Sequence, residues 1–290
     1  MGYRGKHRHT GRFDWLWRIL TLALLIFLLV YPFAEPFMLQ VDQATVTSTD
    51  LPRDIGQLRI VYLSDIHQGA FFTQSRVDGL VNRINALNAD LVLLGGDYAN
   101  DSDGAVTFFE RVPNIHARYG VYAVLGNHDR TQPESNLQRM RTAMVSTGIT
   151  PLVNEVVSVR IGTSNVVIAG IDDVNNGWPD LAGTAAKVRD EDFVIFLSHS
   201  PEVIPEALKT GDMNGRRNWF DLGLFGHTHG GQIALLGQYL GIAKVDARYE
   251  QGWIVENRIP MLISRGVGTS ILPIRIGRAP QIHLITVKPN

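Results

Sequence analysis

The sequence contains no cysteine among its 290 residues. Disulfide frameworks, thiolate metal sites and cysteine nucleophiles are therefore excluded. The chain also lacks an excess of either charge, because 27 Lys and Arg residues are matched by 28 Asp and Glu residues. This balance gives no argument for nucleic acid, and no nucleic-acid partner is expected. A hydrophobic content of 45% is that of an ordinary globular protein with one large domain or two small ones.

A strongly apolar segment lies close to the N-terminus. Residues 19–34 are apolar except for Thr21 and Pro32, and a Trp-Leu-Trp triplet extends the run towards the N-terminus. As a helix, residues 19–34 would be roughly 24 Å long, near the lower limit for crossing a bilayer. The basic residues that precede or begin the run are Arg4, Lys6, Arg8, Arg12 and Arg18. Positive charge on this side predicts a cytoplasmic N-terminus, with the rest of the chain outside the cytoplasm.

A long apolar segment near an N-terminus has three alternatives to a membrane anchor. A cleaved signal peptide requires a small-residue cleavage site, and residues 32–34 (Pro-Phe-Ala) provide a poor one. An amphipathic surface helix is disfavoured because the run is apolar on all sides. A buried helix of a soluble protein is the remaining alternative. The sequence predicts an uncleaved, single-pass anchor in the cell (inner) membrane, which contacts the bilayer through residues 15–34 of an N-terminal segment comprising residues 1–35.

The rest of the chain predicts an α/β catalytic domain over residues 57–290, joined to the anchor by a linker at residues 36–56 that holds one strand at 44–49. Buried strands at 58–63, 91–94 and 121–125 alternate with helical patterns at 73–88, 106–112 and 137–145. This order predicts a parallel sheet with helices against it. A hairpin at 156–161 and 166–171 follows, then strands at 193–197 and 222–225. Three further segments, 253–256, 261–264 and 282–287, are candidate strands of a second sheet.

Five of the predicted strands end in polar residues that bind metals well. These residues are Asp65 and His67; Asp97; Asn127, His128 and Asp129; His199; and His227 and His229. Ligands of open α/β sheets bind beyond the carboxyl ends of the strands, so we expect these side chains to share one crevice. Their mixture of carboxylate, imidazole and amide oxygen suits Mn²⁺, Fe or Zn²⁺. The set is too large for one tetrahedral ion and suits two ions about 3.5–4 Å apart, which activate water for attack at phosphorus.

Each cluster taken singly also has an ordinary structural interpretation. An Asp-x-His or Gly-Gly-Asp segment at a strand end is usually a turn or a cap, and His199 beside a proline is typical of a helix entry. The joint occurrence of five such clusters, all at strand ends, favours the metal site.

The order of these motifs resembles that of the calcineurin-like metallophosphoesterase superfamily. The motifs are Asp65-x-His67, Gly96-Asp97, Gly126-Asn127-His128-Asp129, His199 and Gly226-His227-x-His229. The resemblance spans about residues 58–287. The run GHTHGGQ at residues 226–232, together with the tail at residues 265–277, resembles a membrane-anchored bacterial branch with a phosphodiesterase-type activity. This resemblance implies a four-layer α/β/β/α sandwich with a dinuclear metal centre.

The resemblance also implies a role for each site residue. One metal would take Asp65, His67 and His229. The second metal would take Asn127, His199 and His227. Asp97 would bridge the two metals, with Mn²⁺ expected first and Fe or Zn²⁺ as alternatives. His128 would be the catalytic residue that stabilises the phosphoryl oxygens or protonates the leaving group.

One position departs from the pattern of the superfamily, which often has an acidic residue three positions after the bridging aspartate. This chain has Asn100 there, followed by Asp101. Either Asp101 or Asp129 is therefore expected to orient His128, unless His128 is less strongly polarised.

The sequence thus predicts a membrane-anchored, metal-dependent phosphoesterase that cleaves a phosphodiester or pyrophosphate bond of a small-molecule or lipid-linked substrate. One alternative is a catalytically inactive metal-binding interaction module, and another is a metallohydrolase of a non-phosphate substrate. Relatives in the bacterial branch that act on UDP-2,3-diacylglucosamine suggest a further alternative, a diphosphatase of lipid A synthesis at the cytoplasmic leaflet. That alternative conflicts with the orientation predicted from the charges, unless the apolar segment only dips into the membrane.

Overall fold

Two facing β-sheets with helices on both outer sides form the body of the protein, in a computed structural model that describes residues 13–131, 134–235, 238–240 and 245–290. The helices are α1 (Asp14–Ala34), α2 (Gln74–Ala86), α3 (Ser102–Arg111), α4 (Glu134–Ser146), α5 (Leu181–Ala185) and α6 (Ile204–Ala207). The strands are β1 (Gln40–Ser48), β2 (Leu58–Leu63), β3 (Leu91–Leu94), β4 (Val121–Ala123), β5 (Ile149–Pro151), β6 (Glu155–Ile161), β7 (Ser164–Gly170), β8 (Val194–Leu197), β9 (Leu222–Phe225), β10 (Ile233–Leu235), β11 (Gln238–Leu240), β12 (Gly252–Glu256), β13 (Ile259–Ile263) and β14 (Gln281–Pro289). The basic residues Arg4, Lys6, Arg8 and Arg12 lie outside the described residues.

The two large sheets have six strands each. The first has the order β1–β14–β2–β3–β4–β5, in which β2 to β5 are parallel and β14 is antiparallel to β2. The second has the order β12–β13–β9–β8–β7–β6, with a parallel centre from β13 to β7 and antiparallel pairs at both edges. The parallel centres direct the carboxyl ends of β2, β3 and β4 to one edge of their sheet, and those of β8 and β9 to one edge of theirs.

Alternating side chains on the central strands build three apolar layers. In β2, Ile60 packs between the sheets while Val61 packs against the helices α2 to α4. In β8, Ile195 packs between the sheets while Phe196 packs in the layer of α5 and α6. These strands are buried on both faces, which is why they read as unbroken apolar runs. The predicted four-layer α/β/β/α sandwich is therefore confirmed.

One predicted strand belongs to the other sheet. The segment predicted at 282–287 for the second sheet is β14, which lies in the first sheet between β1 and β2. Ile282 of β14 packs with the helices, whereas Ile285 packs between the sheets. A strand with two apolar faces fits the centre of either sheet, so its pattern does not specify its neighbours.

The segment predicted as a linker contributes to the fold. Its predicted strand at 44–49 is observed as the longer β1, which pairs in parallel with β14 over nine residues. The N-terminal segment therefore enters the first sheet within a few residues of α1, rather than tethering the domain loosely.

Helix α1 is long and apolar enough to cross a membrane. Its apolar span runs from Trp15 to Phe37 with a mean hydropathy of 2.1, and its most apolar window is not buried against the rest of the protein. The helix begins at Asp14, so its 21 residues extend about 32 Å. This length exceeds the roughly 24 Å expected for residues 19–34 alone, because the Trp-Leu-Trp triplet is also helical.

Candidate metal centre

Each predicted site residue follows the strand expected from the sequence. Asp65 and His67 come directly after β2, and Asp97 follows β3 after two glycines. The remaining residues are Asn127 and His128 after β4, His199 after β8, and His227 and His229 after β9. Because these strand ends meet across the two sheets, the structure brings side chains from both halves of the sandwich into one cluster.

Five of these residues have backbone conformations that are rare outside glycine. Their φ angles are 55° at Asp65, 49° at His67, 56° at Asp97, 69° at His227 and 52° at His229. Left-handed backbone is several-fold enriched in Asn, Asp and His, and it concentrates at functional sites. The surrounding turns hold these residues in a conformation that is strained for most side chains.

Two glycines allow the loops to approach each other closely. At Gly96, φ is 93° and a Cβ would lie 2.8 Å from Nδ1 of His199. At Gly226, a Cβ would lie 2.6 Å from Oδ2 of Asp65. Larger residues at either position would displace these two side chains, so the glycines are required for the cluster.

The first group of candidate ligands consists of Asp65, His67 and His229, whose donor atoms all lie within 4.8 Å of one another. His67 Nε2 lies 3.1 Å from Nε2 of His229, and His229 Nε2 lies 3.5 Å from Oδ1 of Asp65. All three side chains are buried. Two imidazole nitrogens and a carboxylate in this geometry fit a divalent ion that accepts nitrogen and oxygen ligands.

The second group contains Asp97, His199 and His227, also within 4.8 Å. His199 Nε2 lies 3.2 Å from Oδ2 of Asp97, and the same oxygen lies 3.5 Å from Nε2 of His67. Asp97 therefore contacts one histidine from each group, as a bridging carboxylate would. Among the described residues, Oδ1 of Asn127 is buried and has no hydrogen-bond partner. A buried amide oxygen without a donor fits a cation, since burial without a partner is costly.

Hydrogen bonds from outside the cluster orient the candidate ligands. The ring nitrogen Nδ1 of His199 lies 2.8 Å from the carbonyl oxygen of Gly95, which turns Nε2 towards Asp97. The backbone N–H of His227 donates to Asp65, and the hydroxyl of Ser64 donates to the same carboxylate. Such bonds fix the tautomer and direction of metal ligands.

Burial and neighbouring charge separate the pKa values in the centre. Burial lowers the pKa of both His67 and His227 to about 4, so both rings are neutral near pH 7 and able to bind a metal. Burial raises the pKa of Asp65 to about 6. Burial would also raise the pKa of Asp97, but the charge of His199 and a hydrogen bond with its ring outweigh burial and hold that pKa well below its usual range.

His128 lies beside the candidate ligands, with its ring 4.9 Å from that of His67. Its Nδ1 is 2.9 Å from the backbone carbonyl oxygen of Asn100. The expectation that Asp101 or Asp129 orients His128 is therefore wrong. Asp101 instead caps helix α3 by accepting from the backbone N–H of Gly104.

Asp129 has a structural role that the sequence did not indicate. Its carboxylate accepts three backbone N–H groups, from Asp97 at 2.8 Å, Tyr98 at 3.0 Å and Gly126 at 2.8 Å. These bonds tie the loop after β3 to the loop after β4. Asp97 and Asn127 therefore depend on one carboxylate for their relative positions.

The strand β7 is also followed by acidic residues, Asp172 and Asp173, which lie just beyond the predicted hairpin and are not among the predicted site residues. Buried Asp173 accepts the backbone N–H groups of Asn175 at 2.9 Å and Asn176 at 2.6 Å. The amide of Asn176 in turn donates to the carbonyl oxygen of Asn127 at 2.8 Å. An apolar strand followed by two carboxylates was the signal, and it matched the other five strand ends.

Arg275 is a second residue whose position was not predicted. Its side chain is completely buried, and Nη2 lies 3.5 Å from Nδ1 of His229. The guanidinium donates to the carbonyl oxygens of Arg265, Gly266, Gly268 and Arg278. Its backbone N–H donates to the carbonyl oxygen of Pro32 at 2.9 Å. Arg275 thus connects the end of α1 to a candidate ligand, and nothing in its local sequence signals this.

The sandwich and its clustered histidines and aspartates define the class of this protein, an α/β metallohydrolase with a binuclear metal site. The chain belongs to the calcineurin-like phosphoesterase family, which matches residues 58–231. The family implies metal-dependent hydrolysis of a phosphoester.

Several relatives share most of the chain. The metallophosphoesterase YkuE of Bacillus subtilis (strain 168) is 30% identical over 265 residues, which cover 88% of each chain. A metallophosphoesterase of Aquifex aeolicus (strain VF5) is 26% identical over 92% of this chain and 98% of its own. A transmembrane protein with a metallophosphoesterase domain from Bos taurus is 30% identical over 200 residues, which are 63% of this chain and 43% of the bovine protein.

Proposed function

We propose that this protein is a membrane-anchored phosphoesterase that uses two divalent metal ions to hydrolyse a phosphodiester or pyrophosphate bond. The observation that carries the proposal is a pair of donor groups, one of Asp65, His67 and His229 and one of Asp97, His199 and His227, each with its ligand atoms within 4.8 Å. Oδ2 of Asp97 joins the two groups, because it also lies 3.5 Å from Nε2 of His67. Separate sets of histidines on the two sides of one carboxylate match a two-metal site rather than a single tetrahedral ion.

The proposed ligands form two sets. Asp65, His67 and His229 would hold one ion. His199 and His227, with the unpartnered amide oxygen of Asn127, would hold the other. Asp97 would serve both ions, because its Oδ2 faces a histidine from each set. When bound, the ions would supply positive charge for the phosphoryl oxygens and an activated water for attack at phosphorus. The mixed nitrogen and oxygen donors favour Mn²⁺, with Fe or Zn²⁺ as alternatives.

His128 is the proposed catalytic residue. Its Nδ1 faces the carbonyl oxygen of Asn100, and one of its ring nitrogens lies within 4.8 Å of donor atoms of His67 and Asp97. A ring held in this way can stabilise a phosphoryl oxygen or deliver a proton to the leaving oxygen. The chain needs no side-chain nucleophile under this mechanism.

The position of the centre beside α1 supports a lipid-linked phosphate ester as substrate. The path from His229 through Arg275 to the carbonyl oxygen of Pro32 involves one intervening residue. An ester held in the bilayer surface would therefore be close to the metal ligands. A nucleotide-sugar-lipid is one such substrate class.

The proposed anchor is α1, and its apolar span and the bovine transmembrane relative both support it. The basic residues on its N-terminal side favour a catalytic domain outside the cytoplasm. A diphosphatase acting on UDP-2,3-diacylglucosamine would need the cytoplasmic face instead. An alkaline phosphatase reporter fused after Asn290 separates these orientations, because the reporter is active only outside the cytoplasm.

The central test uses the full-length protein in detergent. After chelation, the protein is reloaded with Mn²⁺, Fe²⁺ or Zn²⁺ and assayed on bis-p-nitrophenyl phosphate and p-nitrophenyl phosphate, with metal content measured by mass spectrometry. We expect two ions per chain and faster hydrolysis of the diester. Asp97→Asn should abolish both binding and hydrolysis, whereas Asp103→Asn, an exposed carboxylate, should change neither. Two bound ions without hydrolysis would instead identify an inactive metal-binding module.

A further inference from the structure

We propose that five exposed apolar side chains around the end of α1 form a second membrane contact, which inserts into the bilayer surface and places the metal centre against it. This apolar rim consists of Phe37, Met38, Phe71, Ile271 and Leu272. The inference rests on the proposed membrane anchor and goes beyond it, because an anchored domain on a tether need not touch the bilayer.

The rim exposes large apolar side chains to solvent. The exposed fractions are 67% for Phe37, 60% for Phe71 and 86% for Ile271, and Met38 and Leu272 are about half exposed. Single exposed apolar residues are ordinary, but several large ones on loops attached to the same helix end indicate a contact with a membrane or another molecule.

The rim is continuous with the membrane helix through hydrogen bonds on two sides. On one side, Arg275 donates its backbone N–H to the carbonyl oxygen of Pro32, and the backbone N–H of Gly277 donates to Oε2 of Glu35 at 2.8 Å. These bonds attach the segment at Arg275, four residues after Ile271, to the end of α1.

On the other side, Arg76 joins Phe71 to Phe37. Its guanidinium lies 4.3 Å from the centre of the Phe37 ring and donates to the carbonyl oxygens of Pro36 and Phe71. The two loops of the rim are thus attached to the same end of α1, and their position relative to the bilayer follows from that of the helix.

The length of α1 sets the depth of the rim. A helix of 21 residues extends about 32 Å, close to the roughly 30 Å hydrocarbon thickness of a bilayer. If Trp15 lies at one interface, Phe37 lies at the other. Residues bonded to Pro32 and Glu35 are then at the level of the lipid headgroups, where apolar side chains reach the acyl chains.

The backbone holds Ile271 outwards. Its φ is 62°, a left-handed conformation that is a genuine outlier for a β-branched residue. The side chain of Gln232 fixes this turn by donating to the carbonyl oxygens of Ser270 and Leu272, and its Oε1 accepts the backbone N–H of Ser270. A rigid turn that points an isoleucine into solvent is explained by a contact outside the chain.

The rim borders the metal centre on both sides. Gln232 follows the glycines after His229, so the turn at Ile271 is attached to a ligand loop. The loop of Phe71 packs against Asn100 through Gly69, and the carbonyl oxygen of Asn100 faces His128. Insertion of the rim would therefore bring the catalytic centre to the headgroup level of the same leaflet.

The absence of native cysteine gives a direct test on the full-length protein. Single cysteines replace Ile271, Leu272 or Phe71, and a nitroxide label on each is studied by electron paramagnetic resonance in nanodiscs of phosphatidylcholine and phosphatidylglycerol. The matched control is Val145→Cys, an exposed apolar position on α4 beside the far edge of the first sheet. We expect labels on the rim to be more accessible to oxygen than to a water-soluble nickel chelate, and the control label to show the reverse. Rim labels with the same nickel accessibility as the control would overturn the proposal.

An activity assay separates failure of the rim from failure of the proposed function. The double variant Phe71→Asp and Ile271→Asp is compared with wild type and Val145→Asp on soluble bis-p-nitrophenyl phosphate and on hexadecyl p-nitrophenyl phosphate embedded in the nanodisc. We expect a roughly tenfold loss on the embedded ester alone, because two apolar contacts with the bilayer are removed. Equal rates of wild type and the double variant on the embedded ester would refute the proposed membrane contact of the rim. If wild type hydrolyses neither ester, the proposed function fails, and the label accessibilities still decide whether the rim is inserted.

Discussion

Nη2 of Arg275 lies 3.5 Å from Nδ1 of His229 inside the protein, where neither side chain reaches solvent. The guanidinium also donates to four backbone carbonyl oxygens, so it organises the loop that carries Arg265 and the turn that ends at Arg278. Burial lowers the pKa of Arg275 to about 9, which leaves it charged near pH 7. A buried charge with this many partners is a structural centre for the loops beside the metal site.

Replacing Arg275 should therefore destabilise the fold and the centre together. Arg275→Met leaves the buried carbonyl oxygens without donors, and we expect a loss of about 3–5 kcal/mol in the free energy of unfolding. Chemical denaturation measures this loss, with Arg248→Met as an exposed control. An unfolding free energy equal to that of wild type would show that the carbonyl contacts contribute nothing net.

Removing the side-chain amide of Asn176 should weaken the binding of the second metal ion. Asn176→Ala removes the bond to the carbonyl oxygen of Asn127, so the candidate ligand loses one of its supports. Loss of such an outer contact lowers metal affinity by about 10–100-fold. Calorimetric titration with Mn²⁺ measures the change in metal affinity. The matched control is Asn175→Ala, an exposed neighbour that contacts Asp173 through its backbone, which the substitution keeps. Equal Mn²⁺ affinities in the two variants would contradict the prediction.

Replacing His128 should slow the reaction without removing metal. We expect His128→Ala to lower kcat by about 10²–10⁴-fold, the range for loss of a positioned proton donor. Metal content should stay at two ions per chain. Steady-state kinetics and mass spectrometry measure both quantities, with His116→Ala as the exposed control. Loss of one ion in His128→Ala would instead make His128 a ligand.

The pH dependence of stability should change when His283 is replaced. Burial lowers the pKa of His283 to about 3, and the charge of Arg265 adds to this effect. The unfolded imidazole titrates near pH 6.5. The stabilising contribution of neutral His283 is therefore complete above pH 6.5 and is lost as the pH falls towards about 3, since only the unfolded chain takes up the proton.

We expect His283→Gln to remove this dependence while keeping a partner for the hydroxyl of Ser264. Between pH 6 and pH 4, the difference in unfolding free energy between wild type and variant should change by about 1.4 kcal/mol per pH unit. Urea denaturation at several pH values measures it, with His116→Gln as control. Parallel curves for wild type and His283→Gln would contradict the assigned cause.

Removing most of α1 should lower activity on lipid substrates while leaving activity on soluble substrates unchanged. A chain beginning at Tyr31 keeps the carbonyl of Pro32 and the carboxylate of Glu35 for their bonds to Arg275 and Gly277. We expect unchanged hydrolysis of a small chromogenic diester and a loss of roughly tenfold or more on a bilayer-embedded ester, because tethering raises the local concentration. Equal loss on both substrates, or loss on neither, would count against the anchor.

The sequence located the strands and the residues that follow them because both signals are local. Central strands such as β2 and β9 are continuous apolar runs, and polar residues such as Asp65 and His227 come directly after them. The turns accept Asp and His at positive φ, so the chemistry of the ligands also suits the backbone they occupy. Convergence followed from a general property of parallel sheets, whose carboxyl ends share one edge.

Only the tertiary structure decided which distant groups meet. The partner of His128 is the backbone carbonyl oxygen of Asn100. Every residue has a backbone carbonyl, so the sequence does not show which one contacts His128. The neighbours of β14 were equally open, since a strand with two apolar faces fits either sheet. Asp129 is buried because the backbone N–H groups of Asp97 and Tyr98, 32 and 31 residues away along the chain, donate to its carboxylate. Long-range compensation of this kind depends on packing geometry, and the order of residues along the chain does not encode it locally.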